Sequence, residues 1–334
     1  MRVLFISGAP WGATGGNQRY QALAEAIKRN FPDIKVLFYS QTDGATPPEF
    51  RWTGEPVDIL VVGFPGKWGV LENQNMFCLG PIIYDICDYW RGNELIENLD
   101  LREADDYTAQ KSHIIVTVNP QLACQYLPYK KPVYVIGNGI RKEAMTPPPV
   151  RTDTKVHIYY WGAYFPGQEW TDFAALQEIP KRYPQCYFHY FLASPLTPEE
   201  LFPERPDNLS IEISPIGIDF LNIKAKIIYP AIGLVPFKPF NTAAVFADPI
   251  KIYEYWALGL YVIATNTWSL LGERNTILYR QGDVLQEIGA GIEEIIKNRK
   301  LEPVFPPPSE KLAFSWDFRA KQYVDLFRRL IPSR

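Results

Sequence analysis

The sequence is poor in the residues from which most metal and nucleophile sites are built. It has three histidines and four cysteines in 334 residues. His113, His157 and His189 occur singly, each at or beside a β-rich run, so a histidine zinc site or a Ser-His-Asp triad has little to build on. Cys78, Cys87, Cys124 and Cys186 form no C-x-x-C pair and sit in apolar or aromatic settings, the pattern of free thiols in a reducing compartment. No Asp-x-Asp occurs, which removes the simplest carboxylate metal site. No apolar run reaches the roughly 18 residues that span a bilayer. The opening "MRVLFISGAPWG" is too soon interrupted for a signal peptide and reads as a first strand. A formal charge of -3 gives no basis for a broad nucleic-acid surface. These features together lead us to expect a cytoplasmic location.

What is present is alternation. "VLFIS", "KVLFYS", "DILVVG", "PIIYDI", "HIIVTV" and "PVYVIGNG" are short β-rich runs. Helical segments fall between several of them, notably "GGNQRYQALAEAIKRNF" and residues 94–111. In the first, Tyr20, Leu23, Ala24 and Ile27 share one face. A second series runs through "KVHIYYWG", a helix near residues 169–182, "CYFHYFL", "LSIEIS", "IGLVPF" and "LYVIAT". Repeated β–α units imply parallel, doubly wound sheets. The proline-rich "TPPPVRTDT" is the expected linker. The expectation is an α/β chain of two Rossmann-like domains, residues 1–145 and 155–313, joined by residues 146–154 and facing across a cleft. A last helix lies within residues 314–334. Ligands of open α/β sheets bind outside the carboxyl ends of the strands.

The loop "SGAPWGATGGNQRY" follows a strand and opens a helix, the context of a phosphate cradle. Its glycines do not give G-x-G-x-x-G, nor is there a Walker lysine, which weakens a Rossmann oxidoreductase reading. A plain tight turn remains an equal alternative for Gly15 and Gly16. In "YDICDYW", Asp85 and Asp88 are expected to emerge at a strand end, as acceptor ligands or a general base. The competing reading has Asp85 ending the strand and Asp88 capping the next turn.

The most informative stretch is "DPIKIYEYWALGLYVIAT", residues 248–265. Asp248 suits an N-cap, Pro249 the first helical position and Gly259 the stop. Lys251 then falls in the first turn, where the helix dipole disfavours a cation. An exposed Lys251–Glu254 pair would return only about 0.2–0.5 kcal/mol. A diphosphate docked at the helix start resolves the conflict, with Glu254 turned toward the attached ribose. Lys238 and Thr242, in "PFKPFNTAA", are placed to fold over the phosphates.

This stretch resembles the P-x-K-x-x-E-Y-x-A-x-G-x-x-V-x-A-T signature of GT-B glycosyltransferases of family one or family four. "YDICDYW", "SHIIVTVNPQL", "VIGNGI", "YYWGAY" and "FSWDFRA" are similar to further family segments, in the family's order. The resemblance implies a nucleoside-diphosphate-sugar donor in the C-terminal domain and a carbohydrate or lipid-linked hydroxyl acceptor in the N-terminal one. It also implies no bound metal or cofactor, a role for Lys251 in stabilising the leaving diphosphate, and a last helix that returns to the first domain. Retaining members carry two glutamates with seven residues between them. Glu254 matches the second and Phe246 occupies the first, which leaves the stereochemical course open. A sugar-nucleotide epimerase of the same fold and a non-catalytic sugar-nucleotide-binding protein remain alternatives. Arg319, Lys321, Arg328 and Arg329 on the last helix suggest either a weak peripheral contact with an anionic membrane or a solvated basic face.

Overall fold

The computed structural model describes residues 1–8, 16–40, 46–64, 78, 80–87, 101–164, 170–215, 218–239, 245–298 and 302–331. They divide into two compact units. The first comprises Met1–Gly139, Phe246–Asp248 and Trp316–Arg334; the second comprises Ile140–Val245 and Pro249–Ser315.

The first unit holds a six-stranded sheet of β1 (Arg2–Ser7), β2 (Lys35–Ser40), β3 (Ile59–Val62), β4 (Ile82–Ile86), β5 (Ile114–Thr117) and β6 (Val133–Val135). The order is β2-β1-β3-β4-β5-β6 and every pairing is parallel. β3, β4 and β5 are buried along their whole length, which is why they read as unbroken apolar runs. The helix Gly16–Asn30 lays Tyr20, Leu23, Ala24 and Ile27 into the core, as their spacing requires. It also packs against the C-terminal helix Trp316–Leu330, which buries Trp316, Ala320, Tyr323, Val324 and Phe327.

The second unit holds β7 (Thr152–Ala163), β8 (Tyr187–Ala193), β9 (Leu209–Ser214), β10 (Tyr229–Pro236), β11 (Tyr261–Thr265) and β12 (Ile277–Arg280). They run parallel in the order β12-β11-β10-β7-β8-β9. β12 and the helix that follows it, Val284–Asn298, were not marked by the sequence pattern. The proline-rich residues 146–154 lie inside this unit and lead into β7 at Thr152. They are tied there by Lys224, whose Nζ donates to the Glu143 carbonyl at 2.6 Å and to Thr146 Oγ1 at 2.7 Å. The chain instead passes from one unit to the other at Gly139–Ile140, beside the Asn-Gly turn.

Each sheet has one point where the strand order reverses. In the first unit it lies between β1 and β3, in the second between β7 and β10. Crevices at such points are where open α/β sheets receive ligands.

Candidate functional site

At the reversal in the first unit, β1 runs into Gly8 and β3 into Gly63. A Cβ at Gly8 would stand 2.6 Å from the Phe64 ring, and one at Gly63 2.3 Å from the Tyr20 ring. Both glycines are therefore required by close approach. Gly16 opens the helix behind this edge. Gly15, Thr242 and Asp88 lie outside the described residues.

Asp85 does not emerge from the end of β4. It is fully buried, and both carboxylate oxygens are engaged. Arg19 Nε donates to Oδ2 at 3.1 Å and Arg19 Nη2 to Oδ1 at 3.2 Å, while the Tyr323 hydroxyl donates to Oδ2 at 2.6 Å. Arg19 continues to the carbonyls of Ile136 and Gly137 and to Asn138 Oδ1. This network joins the first helix, β4, the Asn-Gly turn and the C-terminal helix. A buried ion pair satisfied on every side anchors packing, whereas a general base needs a lone pair facing its acceptor.

Asp248 is corrected in a similar way. The helix runs Ile250–Ala257, its N-cap is Pro249, and no side chain caps it. Asp248 is buried within the first unit, where its Oδ2 accepts the Asn138 N–H at 3.0 Å and its carbonyl accepts Asn138 Nδ2 at 2.5 Å. Nearby, Asn119 Nδ2 donates to the Phe246 carbonyl at 2.7 Å, and Phe246 packs on the first unit's core. The sequence reading missed both asparagines as clasps on residues 246–248, because a single Asn in a turn carries no signal of a distant partner.

The second unit gathers the rest. Lys251 is the second residue of its helix, and Gly259, at φ +79°, ends it. The Lys251 ammonium lies 4.6 Å over the centroid of the Tyr160 ring, and a Cβ at Gly162 would stand 2.8 Å from Nζ. Gly162 closes β7, one of the two strands flanking the reversal. Among the described residues this ammonium makes no hydrogen bond or ion pair; the ring face is its partner. Desolvation pulls its pKa down to about 8, against the raising effect of Glu254. Lys238 follows β10 on the same edge, half-buried, its N–H donating to the Trp170 carbonyl at 2.9 Å. A desolvated cation, the single glycine near the end of β7 and a helix start thus meet at the sheet's reversal point, the chemistry of an anion site.

Glu254 shares the helix but not the opening. It is 1% exposed; Oε1 accepts from Arg141 Nε and Oε2 from Trp161 Nε1 at 2.8 Å. The sequence reading missed Arg141 and Trp161, which stand more than 90 residues away in the chain. No group of three His, Cys, Asp or Glu among the described residues is placed to hold a metal ion. No helix among them is long and apolar enough to cross a membrane. On the C-terminal helix Arg319 is buried and donates to the Asn138 carbonyl, while Lys321, Arg328 and Arg329 are exposed, Arg328 in a surface pair with Asp33.

The architecture is that of GT-B glycosyltransferases: two parallel six-stranded sheets with interspersed helices. Among solved structures, Anabaena Alr3699/HepE in complex with UDP-glucose is similar at TM-score 0.66 and 14% identity, over 99% of this chain and 100% of that one. The apo form of the lipopolysaccharide outer core galactosyltransferase WaaB matches at 0.61 and 12%, with the same coverage. A GtfA/B complex matches at 0.58 and 9%, over 83% of this chain and 58% of that one. No family model matches the sequence, and no curated protein does.

Proposed function

We propose that the protein is a glycosyltransferase that moves a sugar from a nucleoside diphosphate to a hydroxyl acceptor. The observation that carries this reading is the Lys251 ammonium, which among the described residues has a ring face but no hydrogen bond or ion pair, at a helix start and at the reversal point of the second sheet. A diphosphate there accepts from the ammonium and from free N–H groups of the first turn. The interaction strengthens as the sugar bond breaks and charge collects on the departing phosphate, so it lowers the barrier rather than only binding the donor. Lys238, and Thr242 in the same loop, supply further donors. In this reading the protein's own cations neutralise the leaving group. The acceptor is a carbohydrate or lipid-linked hydroxyl, and Gly15 and Gly16 line its approach or that of the donor phosphates. In this reading the reaction is cytoplasmic.

The UDP-glucose held by the HepE structure makes UDP the first probe. UDP, GDP and ADP are compared by thermal shift on the wild type and on Lys251→Met, and donor turnover is followed with and without acceptor extracts. At least one diphosphate should stabilise the wild type, with affinity roughly 10- to 100-fold weaker in the variant, as for a lost charge-assisted contact. Affinity should also fall as pH rises through about 8, where Lys251 loses its proton. Equal affinity in the two proteins would remove Lys251 from the donor site. The epimerase alternative calls for acid and base histidines near the donor. His157 is five residues, about 16 Å, back along β7 from Gly162.

A further inference from the structure

Thr171 is 2% exposed, and its Oγ1 meets no hydrogen-bond partner. A buried hydroxyl without a partner costs stability, and its retention calls for a use. Its place is fixed by the backbone. Thr171 bridges antiparallel to Phe237, the Asp172 N–H donates to the Pro236 carbonyl at 2.8 Å, and the Lys238 N–H donates to the Trp170 carbonyl at 2.9 Å. This clip seats Thr171 just beyond the carboxyl end of β10, at the reversal between β7 and β10. The Phe237 carbonyl opposite it is already taken, by Thr265 Oγ1 at 3.0 Å and Asn266 Nδ2 at 2.9 Å.

The Tyr160 hydroxyl is its neighbour on the same edge. Burial raises this phenol to about 12, and the nearby Thr171 hydroxyl draws it back, although the two are not aligned for a hydrogen bond. Tyr160 also carries Lys251 on its ring face, 4.6 Å from the centroid. A Cβ at Gly162 would stand 2.8 Å from Lys251 Nζ and 2.9 Å from the Tyr160 hydroxyl, so ammonium and phenol crowd one point near the end of β7. The neighbouring carboxylates are engaged elsewhere. Asp172 accepts the Ala175 N–H at 2.9 Å as a helix cap, and Glu254 accepts from Arg141 and Trp161. Among the described residues the cluster is thus two hydroxyls and one ammonium, a set of donors that matches a group with several anionic oxygens.

Resting on the donor reading of Lys251, we propose that Tyr160 and Thr171 are specificity-determining donor ligands. Their hydroxyls donate to the terminal phosphate of the nucleoside diphosphate, beside the Lys251 ammonium, and so set the preference for a diphosphate over a monophosphate. The Tyr160 ring holds the ammonium before the donor arrives, and its hydroxyl meets the phosphate when it does. Hydrogen bonds to charged oxygens are the strong ones, and these fall on the phosphate that gathers charge as the sugar leaves.

The test is calorimetric titration of wild type, Tyr160→Phe and Thr171→Val with UDP, UMP and UDP-glucose, joined to thermal melts of the ligand-free proteins. Tyr160→Phe keeps the ring under Lys251, and valine has the shape of threonine, so each change reports a hydroxyl. UDP affinity should fall about 10-fold in each variant, the loss of one charge-assisted hydrogen bond, while UMP affinity stays within about twofold. Ligand-free Thr171→Val should melt about 1–3 °C above the wild type, because a methyl replaces a buried hydroxyl that has no partner. A higher Tm with unchanged UDP affinity makes that hydroxyl a packing cost only and overturns the proposal. So do equal losses for UDP and UMP, which put the contact elsewhere on the nucleotide, and a loss confined to UDP-glucose, which puts it on the sugar. If Thr171→Val does not fold, Thr171→Ser and Thr171→Ala decide: only the serine should keep the wild-type ratio of UDP to UMP affinity. GDP or ADP, with its monophosphate, replaces the uridine pair if it is the one that binds. If UDP, GDP and ADP all fail to bind the wild type, the glycosyltransferase reading falls and this inference with it. If one binds and Lys251→Met weakens it while both hydroxyl variants keep the wild-type ratio, the reading stands and this inference alone falls.

Discussion

The two units solve the same problem of charge in opposite ways. Around the reversal point of the first sheet, the titratable groups close on one another: Arg19, Asp85 and Tyr323 are buried and mutually hydrogen-bonded. At the reversal point of the second sheet, Lys251 is left against an aromatic face with its pKa drawn down to about 8. Twin sheets thus carry one sealed ion pair and one desolvated cation set against a ring face. A satisfied buried network rigidifies; a desolvated ion without a counter-ion is a standing electrostatic cost that a ligand can relieve. The comparison teaches that a carboxylate at the end of a strand is not a site by position alone. Its partners decide.

The largest effect should come from breaking the sealed side. Asp85→Asn leaves the Arg19 guanidinium buried without its counter-charge, and the first unit should lose about 3–5 kcal/mol in urea unfolding. A loss below about 1 kcal/mol, joined to a large fall in turnover, would mean that Asp85 serves chemistry and would erase the contrast. Next is Gly233→Ala in the second unit. The new Cβ would stand 2.3 Å from the Tyr255 ring, so Tyr255 and its Trp161 neighbour must shift, costing about 1–3 kcal/mol. Donor affinity should fall with stability, because that packing backs the Lys251 helix. Unchanged affinity would separate the helix from the wall behind it.

A smaller effect belongs to the opposite end of the second sheet. His157 Nδ1 and His189 Nε2 share a 2.8 Å hydrogen bond between β7 and β8, and Asp153 Oδ2 sits 3.1 Å from His157 Nε2. Desolvation lowers the pKa of both imidazoles, that of His189 to about 4, with the charge of His157 adding to its shift. The unfolded histidines therefore bind protons first as pH falls. Stability from this pair is present above about 6.5 and is lost as pH falls toward 4. Urea midpoints between pH 7 and 4 should show a decline that His189→Gln flattens. The smallest effect is a gain: Lys251→Met removes a cation from a helix start and should stabilise the ligand-free second unit by about 0.3–1 kcal/mol while weakening donor binding. A loss of stability instead would show that the ammonium is already satisfied by the fold.

Much of the architecture could be read before any coordinates. β1 and β2 match their apolar runs within a residue, because a strand buried in a parallel sheet must be apolar nearly throughout; the edge strand β9 was legible instead from its alternation, "LSIEIS". β12 was missed because "ILYR" is short and half-buried, which leaves neither a run nor an alternation. Proline content points to residues 146–154 as the linker, but the stretch lies within the second unit, where Lys224 and Lys311 bind Glu143, Met145 and Thr146 at its start. Lys251 was legible because it violates a local rule, and a violated local rule needs no partner to be noticed. The buried state of Asp85, Asp248 and Glu254 was not legible, because their partners Arg19, Asn138 and Arg141 lie 66, 110 and 113 residues away.

Sequence alone determined the two series of parallel strands, the helices between them and the odd placement of one lysine, since hydrophobic period and helix polarity act over a few residues. Tertiary structure alone decided which carboxylates are sealed and which cation is left facing a crevice. Hydrogen bonds and desolvation are set by neighbours in space, and no local pattern of residues encodes who those neighbours are.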